Sequence, residues 1–258
     1  AANLPLMRWA GQELSVLISD LDHVVAATAA PVAVEVSETG LELLWDDPAP
    51  TAPHPWEATD GGAAWRLLYD ADAPIPADEL PPAIPALVTV GARPGEGVVL
   101  LDLESFGSIS VTGDESAVAD FVRSIALELA SGSEMASADV VTVGFEVESS
   151  AHFPRMKTAD EDEAAGLLRS TVEQYETMLG DSGTDNSFQL RCVTGPGPGA
   201  VVAVVSAERC SRIDELVEIV SRRRGAVVVV VGECGSANAR VSVAADGSCL
   251  VEPLGLRV

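Results

Sequence analysis

A chain of 258 residues with 47% apolar side chains can hide roughly 70–75% of its unfolded surface, enough for a real core in one large domain or two modest ones. Forty acidic residues against 15 basic ones leave a formal charge of −25, which argues against DNA, RNA or anionic lipid as a partner because phosphate binding is carried largely by Lys and Arg. No apolar run reaches the roughly 18–20 residues that span a bilayer, so no direct membrane insertion is expected.

The chain starts abruptly with AANLPLMRW, without an initiator Met or a signal peptide, and is read as an internal piece of a longer protein. Residues 8 to about 29 put Leu14, Leu17, Ile18, Leu21, Val24 and Val25 on one stripe of a predicted helix that Pro31 stops. VAVEVSETGLELLW reads as a hairpin around Glu-Thr-Gly, and WEATDGGAAWRLLY as a second one turning at Asp60-Gly61-Gly62. Trp9, Trp45, Trp56 and Trp65 all fall in this part and are expected to hold a small module together. The proline-punctuated DADAPIPADELPPAIP is the best boundary, giving a small α+β module over 1–84 and an α/β domain over 85–258.

From residue 87 strands and helices alternate. ALVTVGARPGEGVVLLDL is a predicted hairpin turned at Arg93-Pro94-Gly95. SISVTG is a short buried strand, and the helix after it, from about 115 to 130, carries Val118, Phe121, Val122, Ile125 and Leu129 at helical spacing. The strand ADVVTVGFE, a helix over 160–179, the strand GAVVAVVSAE, the helix SRIDELVEIVSRRR, the strand GAVVVVVGE and a final hairpin follow. Arg222-Arg223-Arg224 is read as closing that last helix, where positive charge favours the C-terminal dipole. Continuous Val/Ala runs indicate strands covered on both faces, so the expected fold class is α/β, a mostly parallel sheet with flanking helices, preceded by the small α+β module.

The order of these elements over residues 85–258 resembles the motor domain of the FtsK/SpoIIIE/HerA class of P-loop ATPases, including the EccC ATPases of type VII secretion. LVTVGARPGEGVVLLDLESFGSISVTG resembles their hairpin and linker into the Walker A strand, EAAGLLRSTVEQYETML the helix before Walker B, and RGAVVVVVGE with ANARVSVAADG the late strands. The stretches GLELLWDDPAP, GSISVTGD and GSCLVEPLGLRV also resemble a segment of large membrane proteins of high-GC bacteria that join LysM modules to a bacterial transcriptional activator domain. That second resemblance implies a cytoplasmic domain of a membrane-anchored protein.

A Walker A loop needs glycines whose neighbouring N–H groups wrap phosphate, a Lys for its charge and a Ser/Thr for magnesium. Here Gly113 is alone in the turn, no Lys follows, and Asp114, Glu115 and Ser116 stand at the helix start. Carboxylates there satisfy the positive end of the helix and repel phosphate. Thr112 and Glu115 have capping-box spacing and are expected to tie off the first backbone donors. At the Walker B position Ser206 replaces the aspartate, and Glu208 is one carboxylate without a partner. Gly113, Asp114, Glu115, Ser116, Ser206, Glu208 and Arg240, the last near where related motors keep an arginine, would form a vestigial nucleotide pocket.

The expectation is therefore a pseudo-ATPase: not an enzyme, without cofactor or metal, acting as an interaction, scaffold or relay domain through a protein partner, other domains of its own chain or a second copy. The alternative is a weak nucleotide-binding or ATPase module completed by oligomerisation. Cys192, Cys210, Cys234 and Cys249 show no C-x-x-C pairing and read as buried thiols. His23, His54 and His152 have no ligand spacing, and TGPGPGA (194–200) reads as a turn.

Overall fold

The computed structural model describes residues 4–21, 29–69, 82–93, 97–132, 135–147, 152–195 and 197–258. Helix α1 (Leu4–Asp20) precedes six strands, β1 (Pro31–Ser37), β2 (Gly40–Trp45), β3 (Glu57–Thr59), β4 (Ala64–Leu68), β5 (Leu87–Arg93) and β6 (Gly97–Asp102). They form one antiparallel sheet in the order β3-β4-β2-β1-β6-β5. Strand alternation sorts its residues cleanly. Val34, Val36, Leu41, Leu43, Trp65 and Leu67 face α1, while Ala33, Val88, Val90, Val99 and Leu101 enter the core of the second half of the chain. The hairpin β5–β6 is thus buried on both faces, and the hydrogen-bonded sheet runs across residue 84.

The four tryptophans are buried in the cluster under α1. Trp65 Nε1 donates to the carbonyl of Ala49 at 2.6 Å, and the rings of Trp45 and Trp65 lie 4.5 Å apart. That gives a small module apolar bulk and fixes the polar end of its largest ring. The first helix ends at Asp20, short of the expected 29; Val24, Val25 and His23 lie outside the described residues. So do Pro94 and Gly95 of the turn expected between β5 and β6, although the two strands pair as expected.

The second half contributes β7 (Ser108–Gly113), α2 (Glu115–Ser131), β8 (Ala138–Val143), β9 (Met156–Thr158), α3 (Glu161–Ser182), α4 (Ser187–Thr194), β10 (Ala200–Ser206), α5 (Ile213–Ile219), β11 (Ala226–Val231), β12 (Ala239–Val243), β13 (Cys249–Glu252) and β14 (Leu256–Arg257). Their sheet has the order β14-β13-β12-β7-β11-β10-β8-β9, parallel from β12 through β9 and antiparallel at β13 and β14. The expected fold class, a mostly parallel sheet flanked by helices, holds. Val202, Val204, Val227 and Val229 pack toward α2, and Ala203, Val205, Val228 and Val230 toward α3 and α5. Two-sided cover explains why these strands read as unbroken valine.

Three details differ from the sequence reading, the first being the short strand β9, which was not expected. Helix α4 was not expected; Asn186 caps it by accepting from Gln189 N at 2.9 Å. The arginine run does not close a helix: α5 stops at Ile219, and Arg223 sits beyond it at φ 58, buried against the first sheet. Its guanidinium pairs with Asp46 at 3.1 Å and donates to the carbonyl of Pro31 at 3.2 Å. An ion pair to the exposed Asp46 and a backbone carbonyl, not a helix dipole, hold that charge.

Candidate functional site

The expected site lies where β7 becomes α2, at the C-terminal edge of the parallel strands, where open α/β sheets bind ligands. Gly113 ends β7 at φ 132, and a Cβ added there would stand 1.9 Å from the carbonyl oxygen of Val243 on β12. The next residue, Asp114, donates its N–H to that same oxygen at 3.0 Å. Glycine is therefore required by the close approach of β12. Asp114 is extended, with φ −66 and ψ 128, and its carboxylate accepts from Ala117 N at 3.1 Å. It is the N-cap of α2. Thr112, expected to cap through its hydroxyl, instead lies within β7 and pairs with Ser242 of β12. That expectation is corrected: the capping oxygen comes from the residue after the glycine, because β7 stays extended through Gly113.

Only Asp114 separates β7 from α2. The neighbouring strand ends are tied by their own chain. Gly232 N donates to Val111 O at 2.9 Å, Ser110 Oγ donates to Gly232 O at 2.8 Å, and Ala207 N donates to Val231 O at 2.9 Å.

Beside this joint opens a cleft of about 580 Å³. Of the expected residues, Gly113, Glu115, Ser206 and Glu208 line it together; Asp114 and Ser116 do not. Arg240 also stays out of the lining, but it pairs at 3.0 Å with Glu233, which does line it. Sequence reasoning missed Arg123, Arg209, Glu146 and Glu233. Their signal was available only as position: Arg123 is two turns into α2 on the side facing β8, and the others follow the ends of β10, β8 and β11. Arg123 pairs with Asp120 at 3.1 Å and stacks 5.9 Å from the ring of Phe145, leaving Nε without a partner among the described residues. Four carboxylates and two guanidiniums thus surround one polar cleft.

Among the described residues no group of three or more His, Cys, Asp or Glu is placed to hold a metal. His54 and His152 are exposed, and Gly195 of the glycine-rich stretch ends α4, its N–H donating to Arg191 O at 3.0 Å. No helix of the described residues is long and apolar enough to cross a membrane.

No protein-family model matches the chain, and no curated protein does. Among solved structures it is similar to the pCW3 conjugation coupling protein TcpA, a monomer form with ATPγS, at TM-score 0.46 and 15% identity, covering 93% of this chain and 82% of that one. It is also similar to ATPases 2 and 3 of Thermomonospora curvata EccC in complex with a signal sequence peptide, at TM-score 0.47 and 13% identity, covering 81% of this chain and 54% of that one. For EssC ATPases 2 and 3 from Geobacillus thermodenitrificans the values are 0.45 and 10%, covering 66% of this chain and 40% of that one. At these values the likeness is one of general architecture, and the chain spans about half or less of the EccC and EssC chains. The expectation that the protein is not an enzyme is nevertheless corrected: the EccC and EssC structures it is similar to are of ATPases, and the TcpA structure is a form with ATPγS.

Proposed function

We propose that this chain is an ATPase-like module that works by contact with a protein partner at the C-terminal edge of its parallel sheet, as an interaction or relay unit of a larger protein. One observation carries the reading. The single residue between β7 and α2 leaves no loop to wrap phosphate, and one donor of the first helical turn, Ala117 N, is already taken by Asp114. What the cleft offers instead is a rim of charged side chains open to another surface. The partner is another domain of the same chain or a second copy. A cytoplasmic position in a membrane-anchored protein with LysM and activator modules belongs to this proposal, and rests on the resemblance carried by GLELLWDDPAP, GSISVTGD and GSCLVEPLGLRV.

Arg123 and Arg209 favour a second reading on the same edge, in which the partner completes a nucleotide site. Two guanidiniums inside the cleft supply charge suited to phosphate, while the wrapping donors come from across the interface. Light scattering with titration of Mg-ATP separates the two. Assembly without nucleotide supports contact alone; nucleotide binding that appears only in the assembled state supports completion. Micromolar Mg-ATP binding by a strictly monomeric chain overturns both.

A further inference from the structure

At the opposite, N-terminal edge of the parallel strands, a buried seam of charged groups joins the two sheets. Glu104 lies in a 3-10 turn just after β6 and is 1% exposed. Its Oε2 pairs with Arg191 of α4 at 2.7 Å, and its Oε1 accepts from Ser187 Oγ and Gly225 N, both at 3.0 Å. Its carbonyl accepts from Arg223 N at 2.8 Å. Arg223 reaches the first sheet through Asp46 at 3.1 Å, and Asp46 Oδ1 accepts from Ala30 N at 2.8 Å. Tyr175 of α3 closes the group: Arg191 donates to its hydroxyl at 3.1 Å, and that hydroxyl donates to Pro198 O.

The charges in this seam do not balance. Three carboxylates, Asp46 on the solvent-exposed rim and Asp102 and Glu104 inside, meet two guanidiniums, Arg191 and Arg223, and each guanidinium already has its own carboxylate, Glu104 for Arg191 and Asp46 for Arg223. Asp102, the last residue of β6, is left over. It is 5% exposed, forms no ion pair among the described residues, and accepts from Glu104 N at 3.1 Å. On the β5 side its partner is the apolar Leu87. A buried carboxylate without a cation costs several kcal/mol, and such a group takes up a proton instead.

We propose that Asp102 is a proton-sensitive latch between the two sheets: the seam is tight while Asp102 carries a proton and loosens when that proton leaves. Once that proton leaves, Asp102 is a buried carboxylate with no guanidinium of its own, next to the carboxylate of Glu104, and such a charge is costly where water is excluded. Burial, together with the negative charge of Glu104, pushes the Asp102 carboxyl up to about 7 against the opposing pull of Arg223 and Arg191. The direction of the pH effect follows. The folded chain holds a proton that the unfolded chain releases at about pH 3.9, so folding weakens as pH rises from about 4 to about 7 and levels off above, by up to tenfold per unit in the folding constant.

The test compares the whole chain with Asp102→Asn, which mimics the protonated form, in denaturant unfolding at pH 5 to 8. The ratio of the two folding constants is expected to move in favour of the variant by up to tenfold per unit toward pH 7, then to hold. A ratio constant over that range overturns the latch. Should the variant fail to fold, a carbon-13 carboxyl titration of the unaltered chain decides: a midpoint near 7 is expected for Asp102, and one below pH 5 ends the idea. Hydrogen exchange at the amides of Arg223 and Gly225, corrected for intrinsic base catalysis, should quicken between pH 6 and 8 only while Asp102 is present; equal protection at both pH values counts against it.

Discussion

Gly113 and Val243 approach so closely that no side chain fits between them: a Cβ on the first would lie 1.9 Å from the carbonyl oxygen of the second. Gly113→Ala must therefore push β12 away from β7 and hold alanine at a φ of 132, a region that L side chains rarely adopt. The expected loss is about 3 kcal/mol, from strain and overpacking together. Urea unfolding measures it, and a loss under about 0.5 kcal/mol, the range of a neutral surface change, would contradict this packing.

The helix cap gives a paired prediction. Asp114→Ala removes the acceptor for Ala117 N and should cost about 1 kcal/mol, while Asp114→Asn keeps most of it. Thr112→Val, at a strand position, should stay within about 0.5 kcal/mol of the parent. The reverse ranking in thermal or urea unfolding would return the cap to Thr112.

The Glu104–Arg191 pair, both members almost fully buried, predicts strong non-additivity. Arg191→Met leaves Glu104 charged and unpaired and should cost about 3–5 kcal/mol. Adding Glu104→Gln removes the orphaned charge, so the double variant should be less destabilised than the sum of the singles. A double-mutant cycle reads this directly; additivity within about 0.5 kcal/mol would show that the two groups do not act together.

All four cysteines are free. Burial pushes the Cys192 thiol up to about 12, with nearby Arg191 opposing, so almost no thiolate exists at pH 8. Iodoacetamide at that pH should leave Cys192 unmodified in the folded chain and label it rapidly in urea. Equal labelling in both states, seen by peptide mass spectrometry, would mean the site opens freely.

Much of the fold was legible because its signals are local. The Glu-Thr-Gly and Asp60-Gly61-Gly62 turns, the alternating strands around them and the two-sided valine runs each depend on residues a few positions apart, and the observed elements match them. Helix α4 escaped because SFQLRCVT is short and its polar and apolar residues alternate from Ser187 to Cys192, a period that suits a strand and hides a helical face. Of the candidate site, the exposed acids at the start of α2 could be named from sequence. The guanidiniums of Arg123 and Arg209 could not, since nothing in their neighbourhoods along the chain points to a shared cleft.

By itself the sequence determined the two sheet types and the turn chemistry, and it put carboxylates where a phosphate loop would need glycines and lysine, because these depend on side-chain period and on residues in contact along the chain. Only the tertiary structure decided that β5 and β6 belong to the first sheet, that Gly113 serves strand β12, and that Arg223 and Glu104 meet in a buried seam. Those outcomes rest on contacts between residues far apart along the chain, as Arg223 and Pro31 are, and such partners are chosen by burial and charge balance once the chain has closed on itself.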